Sequence, residues 1–304
     1  MIECPWCGSD AVGPSYDATE QMYGLGGTFV YDECAGCGSL ALRDVPGDLG
    51  PYYPADYYSY GVPARLSPAR RVALETLLFR PGGRLLAPTA PGRYRAVARA
   101  GLRRDARVLD VGGGDGKLVD ELRAAGLTGD VRVVDPYARL DRTAGGAPIL
   151  RTDLSKVTGT FDVVMFHHSL EHHPDPARAV HDAVARLAPG GVLVVRVPTV
   201  TSECWSRYGV DWVELDAPRH LHLPSEDGLV GLLESTGLRV TRRWRDGEAF
   251  GLWGSELYRR GETYAGTDPH DHFSDAELRG YERETRRMNR ADTGGRIALI
   301  ARSG

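Results

Sequence analysis

The segment Phe166–Pro174 reads FHHSLEHHP, four histidines and a glutamate in nine residues, directly after the apolar run FDVVM. Imidazole titrates near neutrality and also binds transition metals, so such a cluster can move a proton or hold an ion. His168, Glu171 and His172 have the HxxEH spacing of a zinc-peptidase motif. That motif needs a helix, which puts both histidines on one face. Here an apolar strand runs into a turn broken by Pro174 and Pro176, so the peptidase reading fails. Three readings stay open. His172 is a general base and Glu171 orients it; or His168, Glu171 and His172 hold a catalytic metal, helped by His220 or His222; or the histidines line a pocket without a direct role. A second constellation, Trp205–Pro224 (WSRYGVDWVELDAPRHLHLP), carries Trp205, Trp212, Arg219, His220 and His222. His220 is a second candidate base, with a backbone-bonding lid residue as its alternative.

Four of the five cysteines form two CxxC pairs, CPWCG (Cys4, Cys7) and CAGCG (Cys34, Cys37), with 26 residues between them. Two such knuckles in a reducing compartment fit a tetrahedral zinc ribbon. Gly8 and Gly38 allow the tight turns that aim amides at the thiolates. A module of about 45 residues builds little core, so the metal would supply folding energy. Four thiolates leave no open coordination position, which makes the site structural and not catalytic. Cys204 reads as an ordinary thiol, and DPHDHF (268–273) as a solvated loop.

VLDVGGGDG places Asp110, Gly112, Gly114 and Gly116 between an apolar strand and a helix. The glycines let a ligand touch backbone. The spacing differs from the dinucleotide GxGxxG, and no Lys-Ser/Thr follows, so this is no P-loop. Asp135 ends the next strand about 20 residues on, where a carboxylate can accept both ribose hydroxyls. Asp153 ends a third strand and can accept from an adenine amino group. Three carboxylates along one sheet edge suit an adenosine ligand with little or no phosphate.

In this order, DVGGGDG, VVDP, TDL, FDVVMFHHSLEH and LAPGGVLVV resemble class I S-adenosylmethionine-dependent methyltransferases over roughly residues 101–304. The resemblance implies S-adenosylmethionine as cofactor. Asp110, Gly112, Gly114 and Gly116 would meet its methionine part, Asp135 its ribose, and Asp153 with Leu154 its adenine. The ribbon followed by YYPADYYSY is similar to bacterial methyltransferases of sugars and natural products. It implies a small-molecule acceptor, a sugar or secondary-metabolite intermediate. Tyr52–Tyr60 is either aromatic packing between modules or a flap over that acceptor, which is then expected near Tyr57, Tyr58, His168 and His222. Some O-methyltransferases carry Glu-x-x-Glu-His at the place of His168–His172. The histidine in first position would favour a softer metal than magnesium. Rival readings are an RNA or protein methyltransferase gripping its substrate with the ribbon, a non-catalytic cofactor-binding module, and a nicotinamide-dependent oxidoreductase. Residues 1–40 contain no Lys or Arg, which counts against the first, and the glycine spacing counts against the last.

The elements that must position these groups are legible as alternation. Strands are expected at 107–112, 131–135, 148–153, 161–167 and 192–198, with helices at 117–126, 175–191 and 225–237 between or after them. Two helices precede them between 66 and 99. Strands at 238–244 and 296–301 close the chain, with no clear helix between them. The expected class is α/β: a Rossmann-like seven-stranded, mostly parallel sheet with an antiparallel edge strand, plus the small N-terminal zinc ribbon. The ribbon should span 1–45, a tyrosine-rich linker and helical segment 46–100, and the methyltransferase domain 101–304. With 304 residues, 42% of them apolar, a sizeable core is available. A net charge of −4 speaks against a nucleic-acid partner. No apolar run reaches the roughly 18 residues of a membrane span, and MIECPWCG is no signal peptide. A cytoplasmic protein with reduced thiols is expected.

Overall fold

In the central strand of the sheet, Val163 and Met165 face one side while Val164 and Phe166 face the other, and all four are buried. A strand apolar on both faces must be covered on both, as in a parallel α/β sheet. The computed structural model describes residues 3–54 and 66–303; Tyr57 and Tyr58 lie outside them.

Strands β1 (Val12–Glu20), β2 (Gly26–Cys34) and β3 (Leu40–Leu42) form an antiparallel meander. Helices α1 (Pro68–Phe79) and α2 (Gly92–Ala100) follow. Then come β4 (Val108–Val111), α3 (Lys117–Ala124), β5 (Val131–Val134), β6 (Ile149–Leu150), β7 (Phe161–His167), α4 (Pro176–Val184) and β8 (Leu187–Pro198). The chain continues through α5 (Glu203–Tyr208), β9 (His222–Leu223), α6 (Glu226–Ser235), β10 (Leu238–Arg245), α7 (Phe250–Arg259), α8 (Asp275–Arg290) and β11 (Arg296–Ser303).

The seven-stranded sheet has the order β10-β11-β8-β7-β4-β5-β6. Strands β6, β5, β4, β7 and β8 run parallel, and β11 pairs antiparallel with both β8 and β10. The expected Rossmann-like sheet with antiparallel pairing at one side is therefore present. Helices α1, α2 and α3 cover one face; α4 and α6 cover the other. From β4 the chain winds outward to β5 and β6, then returns to β7 on the opposite side. Ligands of such sheets bind beyond the strand carboxyl ends at this switch point. The glycine loop follows β4 and the histidine segment follows β7, so the order of strands makes them neighbours.

Two expectations are corrected. The helix read over 175–191 stops at Val184, and β8 begins at Leu187, which pairs with Phe161. Pro189, Gly190 and Gly191 thus lie in the strand, at a break in register with β7. Gly190 has φ +72° there, and a shift of register is where a strand takes up glycine. Between the last two strands stand α7 and α8, where no clear helix was legible. Only Thr285 and Met288 of α8 are buried, so apolar periodicity hardly marks it. Its Ser274–Glu277 capping box does.

The N-terminal meander does not stand apart. Strand β9, from the connection after β8, pairs with β3 (Leu40 opposite Leu223, Ala41 opposite His222) and makes a four-stranded sheet.

Candidate active site

Leaving β4, the chain must turn sharply into α3. Gly112, Gly114 and Gly116 do so with φ of +70°, +53° and +79°, the left-handed region where a Cβ is penalised. A Cβ on Gly112 would lie 2.5 Å from that of Ser169, and one on Gly113 would lie 2.6 Å from Asp110 Oδ2. The loop is therefore pressed between Asp110 and the histidine segment. Ser169 Oγ fastens the two by donating to the carbonyl of Val111 at 2.5 Å.

Asp135 braces the loop's outer side. Its Oδ2 accepts the Gly114 amide at 2.9 Å and its Oδ1 the Tyr137 amide at 2.8 Å. Each oxygen keeps a lone pair for another donor. Asp110 is buried, and its Oδ1 has no hydrogen-bond partner among the described residues. Burial and the nearby Asp135 charge push its carboxyl up to about 7. A buried carboxyl with an idle oxygen calls for a partner. Together with an open backbone cradle and a second carboxylate holding spare lone pairs, it fits a ligand that brings hydroxyls and positive charge, as S-adenosylmethionine does. Farther along the edge, Asp153 accepts from the Ser155 hydroxyl (2.5 Å) and amide (2.9 Å), which hold its carboxyl below the usual range. Asp153 is exposed, with Leu154 buried behind it. Tyr137, beside Asp135, is 79% exposed on the same edge.

After β7, His168 turns the chain with φ +54°, and Leu170–His172 make a single 3-10 turn, not the helix that a peptidase motif requires. Hydrogen bonds fix the imidazoles. The Arg219 carbonyl lies 2.8 Å from His172 Nδ1. A carbonyl only accepts, so Nδ1 carries the proton and Nε2 the lone pair. Tyr53 Oη is 3.2 Å from the same Nδ1. His220 likewise donates from Nδ1 to the Glu214 carbonyl at 2.8 Å. The two rings meet edge-on, 4.6 Å between centroids. His168 Nε2 accepts from Arg196 Nη1, which leaves its Nδ1 as the donor, 3.4 Å from Glu171 Oε1.

Glu171 is fully buried, and neither of its oxygens is hydrogen-bonded among the described residues. Burial pushes its carboxyl up to about 8. The same burial pushes His172 down to about 3 and His173 to about 4, and lowers His167, His168, His220 and His222. Burial thus favours an uncharged segment near pH 7, with Glu171 as the carboxylic acid and each imidazole neutral, carrying a single N–H. Of the expected group, Glu171, His172 and His220 come together, their ligand-capable atoms all within 4.8 Å. His168 approaches Glu171 Oε1 but is not part of that group. His222 points elsewhere: its Nε2 donates to the Pro174 carbonyl at 3.2 Å, and its ring meets Trp6 of the first CxxC.

Other groups held here were not singled out in the sequence. Arg196 of β8 is buried and bonds Asp246 (2.7 Å), Glu248 (3.4 Å) and His168. An arginine inside the run VLVVRVP is itself a signal, since a buried charge must be paired. Ser169 sat within the quoted motif, but its role shows only where two loops meet.

The four expected cysteines converge as well. Cys4 and Cys37 Sγ are 3.7 Å apart, Cys7 and Cys34 Sγ 3.6 Å, and all four lie within 4.8 Å of one another. Disulfides have sulfurs about 2 Å apart. A tetrahedral site with Zn–S near 2.3 Å has edges of about 3.8 Å, so these thiols fit a zinc ion.

This sheet and this edge define a class of protein. The methyltransferase-domain family profile matches residues 84–243, and the chain belongs to that family. Among curated relatives, the ubiquinone biosynthesis O-methyltransferase of Photorhabdus laumondii is 28% identical over 151 residues, 44% of this chain and 62% of that protein. Its namesake from Erwinia tasmaniensis is 30% identical over 128 residues, 38% of this chain and 53% of that one. The chain thus spans less than two thirds of the length of either. Among solved structures, an S-adenosylmethionine-dependent methyltransferase from Mesorhizobium loti aligns over 71% of this chain and 99% of its own, at 18% identity and a TM-score of 0.45. A Burkholderia thailandensis N-methyltransferase crystallised with S-adenosylhomocysteine aligns over 80% and 93%, at 16% identity and a TM-score of 0.42.

Proposed function

We propose that this protein transfers a methyl group from S-adenosylmethionine to a small-molecule acceptor, a sugar or a secondary-metabolite intermediate. The acceptor would be a hydroxyl, the group methylated by enzymes with the curated relatives' name. The observation that carries the reading is the junction of Gly112 and Ser169, which sets the candidate base three residues from the cofactor cradle. Asp110 and the glycine loop would hold the methionine part, Asp135 the ribose, and Asp153 with Leu154 the adenine. Bound cofactor supplies a methyl group already activated on a sulfonium, so the protein mainly positions reactants. His172 keeps its Nε2 lone pair for the acceptor's proton, because Nδ1–H is committed to the Arg219 carbonyl. His220, more deeply buried, backs the His172 ring, and neutral Glu171 adds no second charge. The test is His172→Gln, assayed for turnover and for cofactor binding. Turnover should fall about 10²–10⁴-fold, the usual contribution of a general base, with cofactor affinity unchanged. Undiminished turnover excludes His172 as the base.

A second reading has its own observation. The Glu171–His172–His220 group, with both Glu171 oxygens unbonded, could take a divalent transition ion and make the enzyme a metal-assisted O-methyltransferase. Activity that survives dialysis against a chelator and gains nothing from added metal disposes of it. For Cys4, Cys7, Cys34 and Cys37 we propose a structural zinc, and with it a reducing, cytoplasmic setting. Among the described residues no helix is long and apolar enough to cross a membrane.

A further inference from the structure

The carbonyl that fixes His172 belongs to Arg219, whose side chain is one of the largest fully buried groups in the described protein. Its guanidinium makes four hydrogen bonds. Nε and Nη2 donate to Asp216 Oδ1 (2.9 and 2.6 Å), Nη2 also to Glu20 Oε1 (2.7 Å), and Nη1 to the Tyr52 carbonyl (3.0 Å). Its face lies 5.5 Å from the Tyr23 ring. Glu20, Tyr23 and Tyr52 all come from the N-terminal part of the chain. Glu20 is held in turn, accepting the amides of Tyr23 (3.0 Å) and Leu25 (2.8 Å). The next carbonyl, that of His220, accepts from Tyr31 Oη of β2 at 2.7 Å, and the residues after it pair with β3. The backbone of 219–223 is therefore gripped almost residue by residue from the N-terminal sheet.

We propose that Arg219 is a positioning residue: Glu20 and Asp216 clamp its guanidinium so that its own carbonyl holds His172 in the Nδ1–H tautomer. The inference rests on the reading of His172 as the base. It gives the N-terminal module a task in the chemistry besides stability. A buried arginine with three different acceptors is a geometric device, because the planar fork meets all three only in one orientation. Lysine, a point charge with the same sign, cannot meet them at once.

The test uses the full chain labelled with 15N-histidine, the His172 signals being assigned by their loss in His172→Gln. Wild type should show a protonated Nδ1 and an unprotonated Nε2. In Glu20→Gln and Arg219→Lys both nitrogens should move toward the average of the two tautomers. The kcat should drop about tenfold or more, with cofactor affinity within twofold of wild type. Asp32→Asn is the control. It breaks the Asp32–Arg43 pair on the same sheet, away from Arg219, and should leave the His172 signals in place. Unmoved His172 signals in both Glu20→Gln and Arg219→Lys overturn the proposal, as does an equal movement in Asp32→Asn. If Arg219→Lys does not fold, the isosteric Glu20→Gln decides alone. Moved signals beside full turnover in His172→Gln would leave the tautomer lock standing and remove the base.

Discussion

Replacing Asp135 by asparagine separates two jobs that one carboxylate performs. Its two oxygens accept the Gly114 and Tyr137 amides at 2.9 and 2.8 Å, and their remaining lone pairs are those assigned to ribose. Asparagine is nearly isosteric but has only one acceptor oxygen. Its amino group must face either a backbone N–H or a ribose hydroxyl. In the free protein one loop bond is lost, worth about 0.5–1.5 kcal/mol. On binding, a hydrogen bond to a charged acceptor is lost as well, about 1.5–3 kcal/mol. The second loss alone weakens affinity roughly 10- to 150-fold. Calorimetric titration with S-adenosylhomocysteine reads the second, and urea unfolding of the free protein reads the first. Lower stability with unchanged affinity would show Asp135 to be only a brace and would refute the ribose assignment. If neither quantity changes, the hydrogen bonds themselves are wrong.

Elemental analysis should find about one zinc per chain, and Cys34→Ser should lose it; a metal-free protein with its N-terminal sheet intact contradicts the zinc assignment. Because β9 completes that sheet, stripping the metal should also broaden the His220 and His222 NMR signals. Gly116→Ala combines a left-handed φ with a Cβ against the Thr143 methyl and should cost about 2–4 kcal/mol in denaturant unfolding; a loss under about 0.5 kcal/mol would mean the loop is not held as described. Stability should peak near neutral pH. Four imidazoles kept neutral by burial (His167, His168, His172, His173) protonate only on unfolding once the pH falls below about 6.5. Glu171 and Asp110, held up to about 8 and about 7, act in the opposite sense, losing stability as pH rises from about 4.5 through those values. Near pH 5 the buried imidazoles outnumber these two carboxyls, so stability falls as the pH drops from neutrality. A urea midpoint that is flat from pH 5 to 7 contradicts this.

Much of the site was written in local spacing. The glycine loop with Asp110, the carboxylates at the ends of β5 and β6, and the paired CxxC knuckles each have a short-range physical reason. The structure adds what distance along the chain concealed. Glu20 and Arg219 meet from 199 positions apart, and no periodicity announces such a pair. Helix α8 escaped because its exposure leaves only Thr285 and Met288 to bury. The overlong α4 came from reading Pro189, Gly190 and Gly191 as a helix stop, when those residues sit at the register break that opens β8. His222 lies two residues after His220, but His220 still belongs to the turn begun at Asp216 while His222 opens β9, and its ring meets Trp6.

The most direct measurement is a crystal structure of the chain with S-adenosylhomocysteine. The account predicts ribose hydroxyls on the Asp135 carboxylate, the amino-acid part against Gly112–Gly116 and Asp110, and the sulfur facing the side of the edge where His172 Nε2 lies. A ligand bound elsewhere, or lying along this edge with its sulfur turned away from Ser169–His172, would contradict it.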